Sequence, residues 1–276
     1  SATPESSSEP VDLTETAYRN LRRGAEAIRV LEEVSRSQGG APGVLQELRY
    51  RVYSIEKAML SLVDVTARRG ELLEAARVCL LATAETCPGD KLAAVVRSCI
   101  DAGAGMIQLR EKNLDDSELL ERARALREVC SAGGALFVVN DRPDIALLSH
   151  ADGVHLGQED LPLSQARRIV GDNVLIGRST HSLEQAREAA REGADYLGAG
   201  PVFETSTKDA GPLLGVDGLG AILEGVSLPV FAIGGLTGSN VSLVREVGGE
   251  RIAVCSAVLG SPSPEKTVGG LCSVLA

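Results

Sequence analysis

The chain has no tryptophan, and aromatic residues make up 3% of it, while Ala, Leu, Val and Gly are plentiful. A composition of small aliphatic residues suits helices packed tightly on a parallel sheet. No C-x-x-C pair occurs among the six cysteines, and no cysteine has a histidine at zinc spacing, which argues against a structural zinc site. Most of these cysteines lie in apolar contexts, where the thiol acts as a small hydrophobe; a reduced, cytoplasmic compartment is the simplest expectation. No apolar run approaches the length of a membrane span, and no signal peptide is visible. Basic charge is also short: the formal net charge is -10, which argues against nucleic acid or an anionic membrane as a partner. An anionic ligand has to be held by a few local cations or by a metal.

What is present is enough apolar residue, 44% of 276, for one large core and a small accessory piece. Residues 1–11 are rich in Ser, Pro and Glu, and the composition predicts disorder. From residue 12, Leu13, Ala17, Leu21, Ala25, Ile28, Leu31 and Val34 recur at helical spacing. Gly39-Gly40-Ala41-Pro42 stops that helix, and a second one carries Leu45, Leu48, Val52, Ile55, Met59, Leu60 and Val63, ending near Arg69-Gly70. The spacing predicts a helical hairpin over residues 12–70.

Over residues 76–276 short apolar runs alternate with helical patterns. The runs are 78–83, 106–109, 136–139, 153–156, 174–176, 196–199, 230–233 and 252–255. Eight βα units over roughly 200 residues predict a (β/α)8 barrel, and no G-x-G-x-x-G turn follows the first run to favour an open doubly wound sheet. In such a barrel the polar groups that do chemistry stand at the carboxyl ends of the strands.

The residues at those ends are the ones an anion needs. Gln108, Arg110 and Lys112 fall on one side of the second strand end by alternation, two cations and an amide suited to a diphosphate. Asn140-Asp141 ends the third strand, and Asp160 follows the fourth; two carboxylates from neighbouring ends suit one Mg²⁺, although each Asp alone also reads as a helix cap or turn residue. The fifth strand is followed by Gly177-Arg178-Ser179-Thr180-His181. His155 reads as a barrel-mouth histidine satisfied by its neighbours and His181 as a helix-start residue; neither is assigned to catalysis. After the sixth strand comes Gly200-Pro201 and a loop with Thr205, Ser206, Thr207 and Lys208. Gly234-Gly235 after the seventh strand and a helix opening at Cys255-Ser256 after the eighth have the layout of a phosphate cup, though the two glycines also fit a plain tight turn.

Taken in order, these pieces resemble thiamine phosphate synthase. The resemblance runs from about Ala76 to the carboxyl terminus. It rests on Gln108-Leu109-Arg110-Glu111-Lys112, Asn140-Asp141-Arg142, Gly153-Val154-His155-Leu156-Gly157 with Asp160, and Gly177 to His181. It continues through Gly198 to Phe203, Thr205 to Lys208, and Ala232 to Leu236. It implies an enzyme that joins a pyrimidinylmethyl diphosphate to a thiazole phosphate, releasing diphosphate through a pyrimidinylmethyl cation. It implies Asp141 and Asp160 as ligands of a Mg²⁺ cofactor, and Arg110, Lys112, Ser179 and Lys208 as catalytic groups. It implies contacts to the pyrimidine diphosphate from the run Gln108, Leu109, Arg110, Glu111 and Lys112, with Asn140, Ser179 and Lys208. It implies contacts to the thiazole phosphate from Thr205, Thr207, Gly235 and the backbone at Cys255 and Ser256, with Ser206 in the same loop as a further substrate-binding residue. The partners implied are these small molecules, and a homo-oligomer is left open. The first strand departs from the pattern by lacking a Tyr and an acidic residue, and Cys255 stands where an aliphatic residue is usual. The hairpin resembles an amino-terminal extension of some members, through Leu21-Arg22-Arg23-Gly24 and Arg29 to Glu33. Two other readings stay open on the sequence: a thiazole phosphate isomerase-like relative, and a non-catalytic phosphate-binding regulator.

Overall fold

The computed structural model describes residues 13–205 and 212–276. The segment 1–11 and the loop residues Ser206, Thr207 and Lys208 lie outside the described residues. The chain divides into two compact units, Ser1–Ala67 and Arg68–Ala276.

The first unit holds α1 (Leu13–Ser37) and most of α2 (Gly43–Ala75). Gly39, at φ 74°, supplies the left-handed residue that ends α1. Glu32 is buried on α1, and its carboxylate accepts from Arg49 of α2 at 2.9 Å, which compensates for removing it from water. The Arg49 guanidinium also lies over the rings of Tyr50 and Tyr53, 5.4 and 5.6 Å from their centroids. Of the two apolar stripes, Ala25 is buried, whereas Leu31, Val34, Leu48 and Ile55 are exposed. The contact between the helices therefore takes up only part of each stripe.

The sequence places the end of the second helix at Arg69-Gly70, but α2 continues to Ala75. Its last turns belong to the second unit. Leu72, Leu73 and Ala76 join the apolar cluster inside the barrel. Arg69 donates to Asp152 at 3.0 Å. These contacts act against the penalty of about 1 kcal/mol for a glycine inside a helix.

The second unit is the expected (β/α)8 barrel. Its strands are β1 (Val78–Ala82), β2 (Met106–Leu109), β3 (Leu136–Asn140), β4 (Gly153–Leu156), β5 (Leu175–Thr180), β6 (Tyr196–Ala199), β7 (Val230–Ile233) and β8 (Arg251–Val254). All pair in parallel, in sequence order, and β8 closes on β1. The helices between and after them are α3 (Gly89–Asp101), α4 (Asp116–Gly133), α5 (Pro143–Leu148), α6 (Leu163–Val170), α7 (Leu183–Arg191), α8 (Gly215–Gly225), α9 (Val241–Glu246), α10 (Ser256–Leu259) and α11 (Pro264–Leu275). Local chemistry sets their ends: Asp115 caps α4 by accepting from the Glu118 amide at 2.9 Å, and Gly134 closes it at φ 74°.

Strand alternation splits the core in two. Ile107, Leu109, Phe137, Val139, Ile176 and Leu197 face outward to the helices. Cys79, Met106, Leu136, Val138, Tyr196 and Phe231 fill the barrel interior. At the amino end of the strands one carboxylate acts as a hub. Asp152 is buried, accepts from Arg69, Arg127 and the Phe137 amide, and through its own backbone bonds Phe137 and Leu175. It therefore ties the starts of β3, β4 and β5 together.

One strand is longer than the apolar pattern predicts. The sequence ends it at Ile176, yet β5 runs to Thr180, because Ser179 and Thr180 pair with Gly198 and Ala199 of β6. Backbone pairing extends the strand where side-chain polarity reads as loop.

Candidate functional site

Because all eight strands are parallel, their carboxyl ends open on one mouth, and the inward positions of each last turn face it. Gln108 and Asn140 meet there: the Gln108 amide donates to Asn140 Oδ1 at 2.7 Å. Leu109, between inward positions, is buried in the outer core, so its side chain faces the helices. Glu111 also turns from the mouth. Its carboxylate accepts from Arg122 of α4 at 2.5 Å and from the Ala84 amide at 2.8 Å, which anchors the loop after β2.

Asp141 follows β3 with φ 63°, a left-handed conformation that Asp tolerates better than most side chains, and its amide donates to the His155 carbonyl at 2.8 Å. Strained backbone of this kind concentrates at functional sites. The Asp141 carboxyl is pushed up to about 7 by burial, and by hydrogen bonding and repulsion from Asp160; Lys112 and Arg110 act in the opposite direction. Asp160 is held in turn by accepting from the Gly157 amide at 2.6 Å. Two carboxylates thus share a half-buried space with two cations at its edge. Among the described residues no group of three or more His, Cys, Asp or Glu side chains is placed to hold a metal. A pair of hard oxygen donors that resist carrying two negative charges fits a divalent cation that takes its other ligands from substrate and water, as Mg²⁺ does.

Next to this pair stands His155, which the sequence reading set aside. Its ring is buried, with Nε2 2.9 Å from the Ser179 hydroxyl and Nδ1 3.3 Å from the Tyr196 hydroxyl. Burial lowers its pKa to about 4, so the ring is neutral near pH 7. Ser179 sits on the inner face of β5, level with Gly198. The signal for His155 is its alternation with Gly153 on β4, but its partner on β6 is visible only once the strands are paired. His181 donates from Nδ1 to the Gly200 carbonyl, 2.6 Å away, and serves the turn into α7.

The far side of the mouth is built from backbone. Gly234 and Gly235 have φ of 99° and 63°. A Cβ on Gly234 would lie 2.5 Å from the Pro201 side chain, and one on Gly235 would collide with the Glu204 carbonyl, so the glycines let two loops touch. The Phe203 amide donates to the Gly234 carbonyl at 3.1 Å, and Asn240 holds the Gly235 carbonyl at 2.9 Å. Ser256 opens α10 directly after Cys255. The Cys255 thiol is raised by burial, with Arg110 opposing that rise, which puts the guanidinium within electrostatic reach of both halves of the mouth. Thr205 is the last described residue before the loop that carries Ser206, Thr207 and Lys208.

Comparison with known proteins agrees with this geometry. A family model described as thiamine monophosphate synthase matches residues 78–258, and one described as the ThiD2 family matches residues 1–58. The thiamine-phosphate synthase of Synechococcus sp. (strain WH7803) is 42% identical over 247 residues, covering 89% of this chain and 70% of that protein. The thiamine-phosphate synthase of Gloeobacter violaceus is 42% identical over 264 residues, covering 94% of this chain and 73% of that protein. Among solved structures, thiamine phosphate pyrophosphorylase from Pyrococcus furiosus aligns with a TM-score of 0.68 and 39% identity, over 74% of this chain and 97% of that one. By family model, by relatives and by solved structure alike, this chain belongs to the thiamine monophosphate synthase family.

Proposed function

We propose that the barrel is a transferase of thiamine biosynthesis, a thiamine-phosphate synthase. It joins 4-amino-2-methyl-5-pyrimidinylmethyl diphosphate to 4-methyl-5-(2-phosphoethyl)thiazole, or to its carboxylated form, and releases thiamine phosphate and diphosphate. The observation that carries this reading is the stressed pair Asp141 and Asp160 beside Arg110 and Lys112, in a chain of this family.

In the proposed reaction the methylene C–O bond breaks and its electron pair leaves with diphosphate. The thiazole nitrogen then forms the new C–N bond to the pyrimidinylmethyl cation. Asp141 and Asp160 would hold Mg²⁺, which supplies positive charge to the departing diphosphate when bound. Arg110, Lys112 and Lys208 add charge where charge develops. Gln108 and Asn140, fixed on each other, orient the pyrimidine side with Ser179. Thr205, Ser206, Thr207, Gly235 and the backbone at Cys255 and Ser256 take the thiazole phosphate. No general acid–base pair is needed, which fits a site whose histidine is neutral and buried.

We assign catalysis to residues 76–276, with the hairpin at 12–70 supplying no ligand, and the compartment to the cytoplasm. Among the described residues no helix is long and apolar enough to cross a membrane. The test is direct. Purified protein, Mg²⁺ and both substrates are expected to yield thiamine phosphate by mass spectrometry, and so is a chain beginning at Arg68, which keeps the Arg69–Asp152 contact. Absence of product from the full chain overturns the function. Product from the full chain, with none from a folded shorter one, overturns the assignment to the barrel alone.

A further inference from the structure

Ser179, proposed to lie against the pyrimidine diphosphate, can point its hydroxyl proton at the ligand or at the histidine. The barrel interior decides between the two. Tyr196 is 2% exposed, and its ring is wedged between His155, 5.5 Å away, and Phe231, 5.7 Å away and edge-on. Burial drives the phenol well above its usual range, so it keeps its proton. A buried phenol proton needs an acceptor. Among the described residues the hydrogen-bond partner of Tyr196 Oη is His155 Nδ1.

That contact selects the tautomer of the histidine. If Tyr196 donates to Nδ1, a neutral ring carries its hydrogen on Nε2. Nε2–H then donates to Ser179 Oγ at 2.9 Å. An oxygen that accepts this bond keeps its own proton for another partner. Ser179 is one inward position nearer the mouth than Gly177, and Gly177 is level with Tyr196. The slot is shaped for these rings. A Cβ on Gly177 would lie 2.5 Å from His155 Nδ1 and collide with the Tyr196 ring, and one on Gly198 would lie 3.1 Å from His155 Cε1. Two glycines, Gly177 on β5 and Gly198 on β6, thus clear the space in which the relay fits.

We infer that Tyr196 and His155 are positioning residues, a hydrogen-bond relay that turns the Ser179 hydroxyl into a dedicated donor to an acceptor atom of the pyrimidine diphosphate. The inference rests on the synthase reading for the identity of the ligand, but not for the relay itself. The same sequence without the relay would let Ser179 donate to the histidine and offer the ligand only lone pairs.

The relay is tested first without turnover, by nitrogen-15 NMR of the full chain labelled at histidine, with His155 assigned from the signal lost in His155→Gln. The expected spectrum has the hydrogen on Nε2 and a bare Nδ1, and Tyr196→Phe should remove that preference. A second measurement is a double-mutant cycle. Tyr196→Phe should lower kcat/KM for the pyrimidine diphosphate roughly tenfold, the effect of one hydrogen bond, and should have no further effect in a Ser179→Ala background. A fall in kcat places the donated proton on the leaving oxygen, and a rise in KM places it on the pyrimidine ring. An Nδ1–H tautomer in the wild type, or additive losses in the double variant, overturns the relay. If the wild type makes no thiamine phosphate, the spectrum still decides the relay, and only the ligand's identity falls.

Discussion

The two halves of the barrel mouth are made of different material. On the side of β2 to β5 the groups are polar and ionisable side chains, and among them the Asp141 carboxyl is pushed up to about 7 by burial and by its neighbour Asp160. On the side of β7 and β8 the surface is glycine backbone, pinned by Asn240 and pressed against the loop after β6. The difference follows from what each half is proposed to do. Diphosphate changes its charge as it leaves, and groups of opposite charge stabilise that change. The thiazole phosphate keeps its charge throughout, and oriented amides are enough to hold it.

Four measurements break or sharpen this contrast. The largest effect is expected at Asp141→Ala, which removes one half of the proposed metal pair. Turnover should fall by about three orders of magnitude, the scale of several kcal/mol of transition-state charge stabilisation. Near-normal rates at low Mg²⁺ would remove Asp141 from the site. Lys208→Ala should lower kcat about a hundredfold while leaving the KM for thiazole phosphate unchanged. If the KM moves and kcat does not, Lys208 belongs to the other half.

Gly235→Val tests the backbone half. A β-branched residue at φ 63°, against the Glu204 carbonyl, is strained by about 1–3 kcal/mol. The KM for thiazole phosphate should rise about tenfold, with the KM for the pyrimidine diphosphate unchanged; equal changes in both would mean that the halves are not separate. The smallest effect concerns stability. The Asp141 carboxyl lies at about 7 in the folded chain against an ordinary value of 3.8. A raised carboxyl favours folding while protonated, so its contribution is complete below about pH 4 and is lost as pH climbs through 7. Without Mg²⁺ the melting temperature should therefore drift down over that window, and saturating Mg²⁺ should cancel the drift by offsetting the paired charge. Identical slopes with and without Mg²⁺ would show that the pair is not a metal site.

Much of this was readable in the sequence. The eight apolar runs and their carboxyl-terminal polar residues come straight from chain order and alternation, and they locate Gln108, Arg110, Asn140 and Asp141 at one mouth. What was hidden depends on partners far along the chain. Ser179 looked like loop until β6 paired with it, 19 residues on at Gly198. Gly70 looked like a helix stop until Leu72 and Leu73 found the barrel interior. Glu111 sat in a ligand-like motif, but Arg122 of α4 takes its carboxylate. His155 could be read as a satisfied histidine, yet that it links Tyr196 to Ser179 requires three strands in register.

The Asp152 hub has a consequence for where the barrel opens. Its carboxylate accepts the Phe137 amide, and its backbone bonds Phe137 and Leu175, so the starts of three neighbouring strands close around one residue. Hydrogen exchange should find the amides of Phe137 and Leu175 among the last to trade their protons for deuterium, and those of the loops at the opposite rim among the first. Rigidity and reactivity then occupy opposite poles of the same strands. Such a barrel can absorb changes at its mouth without loosening the pole that holds it shut.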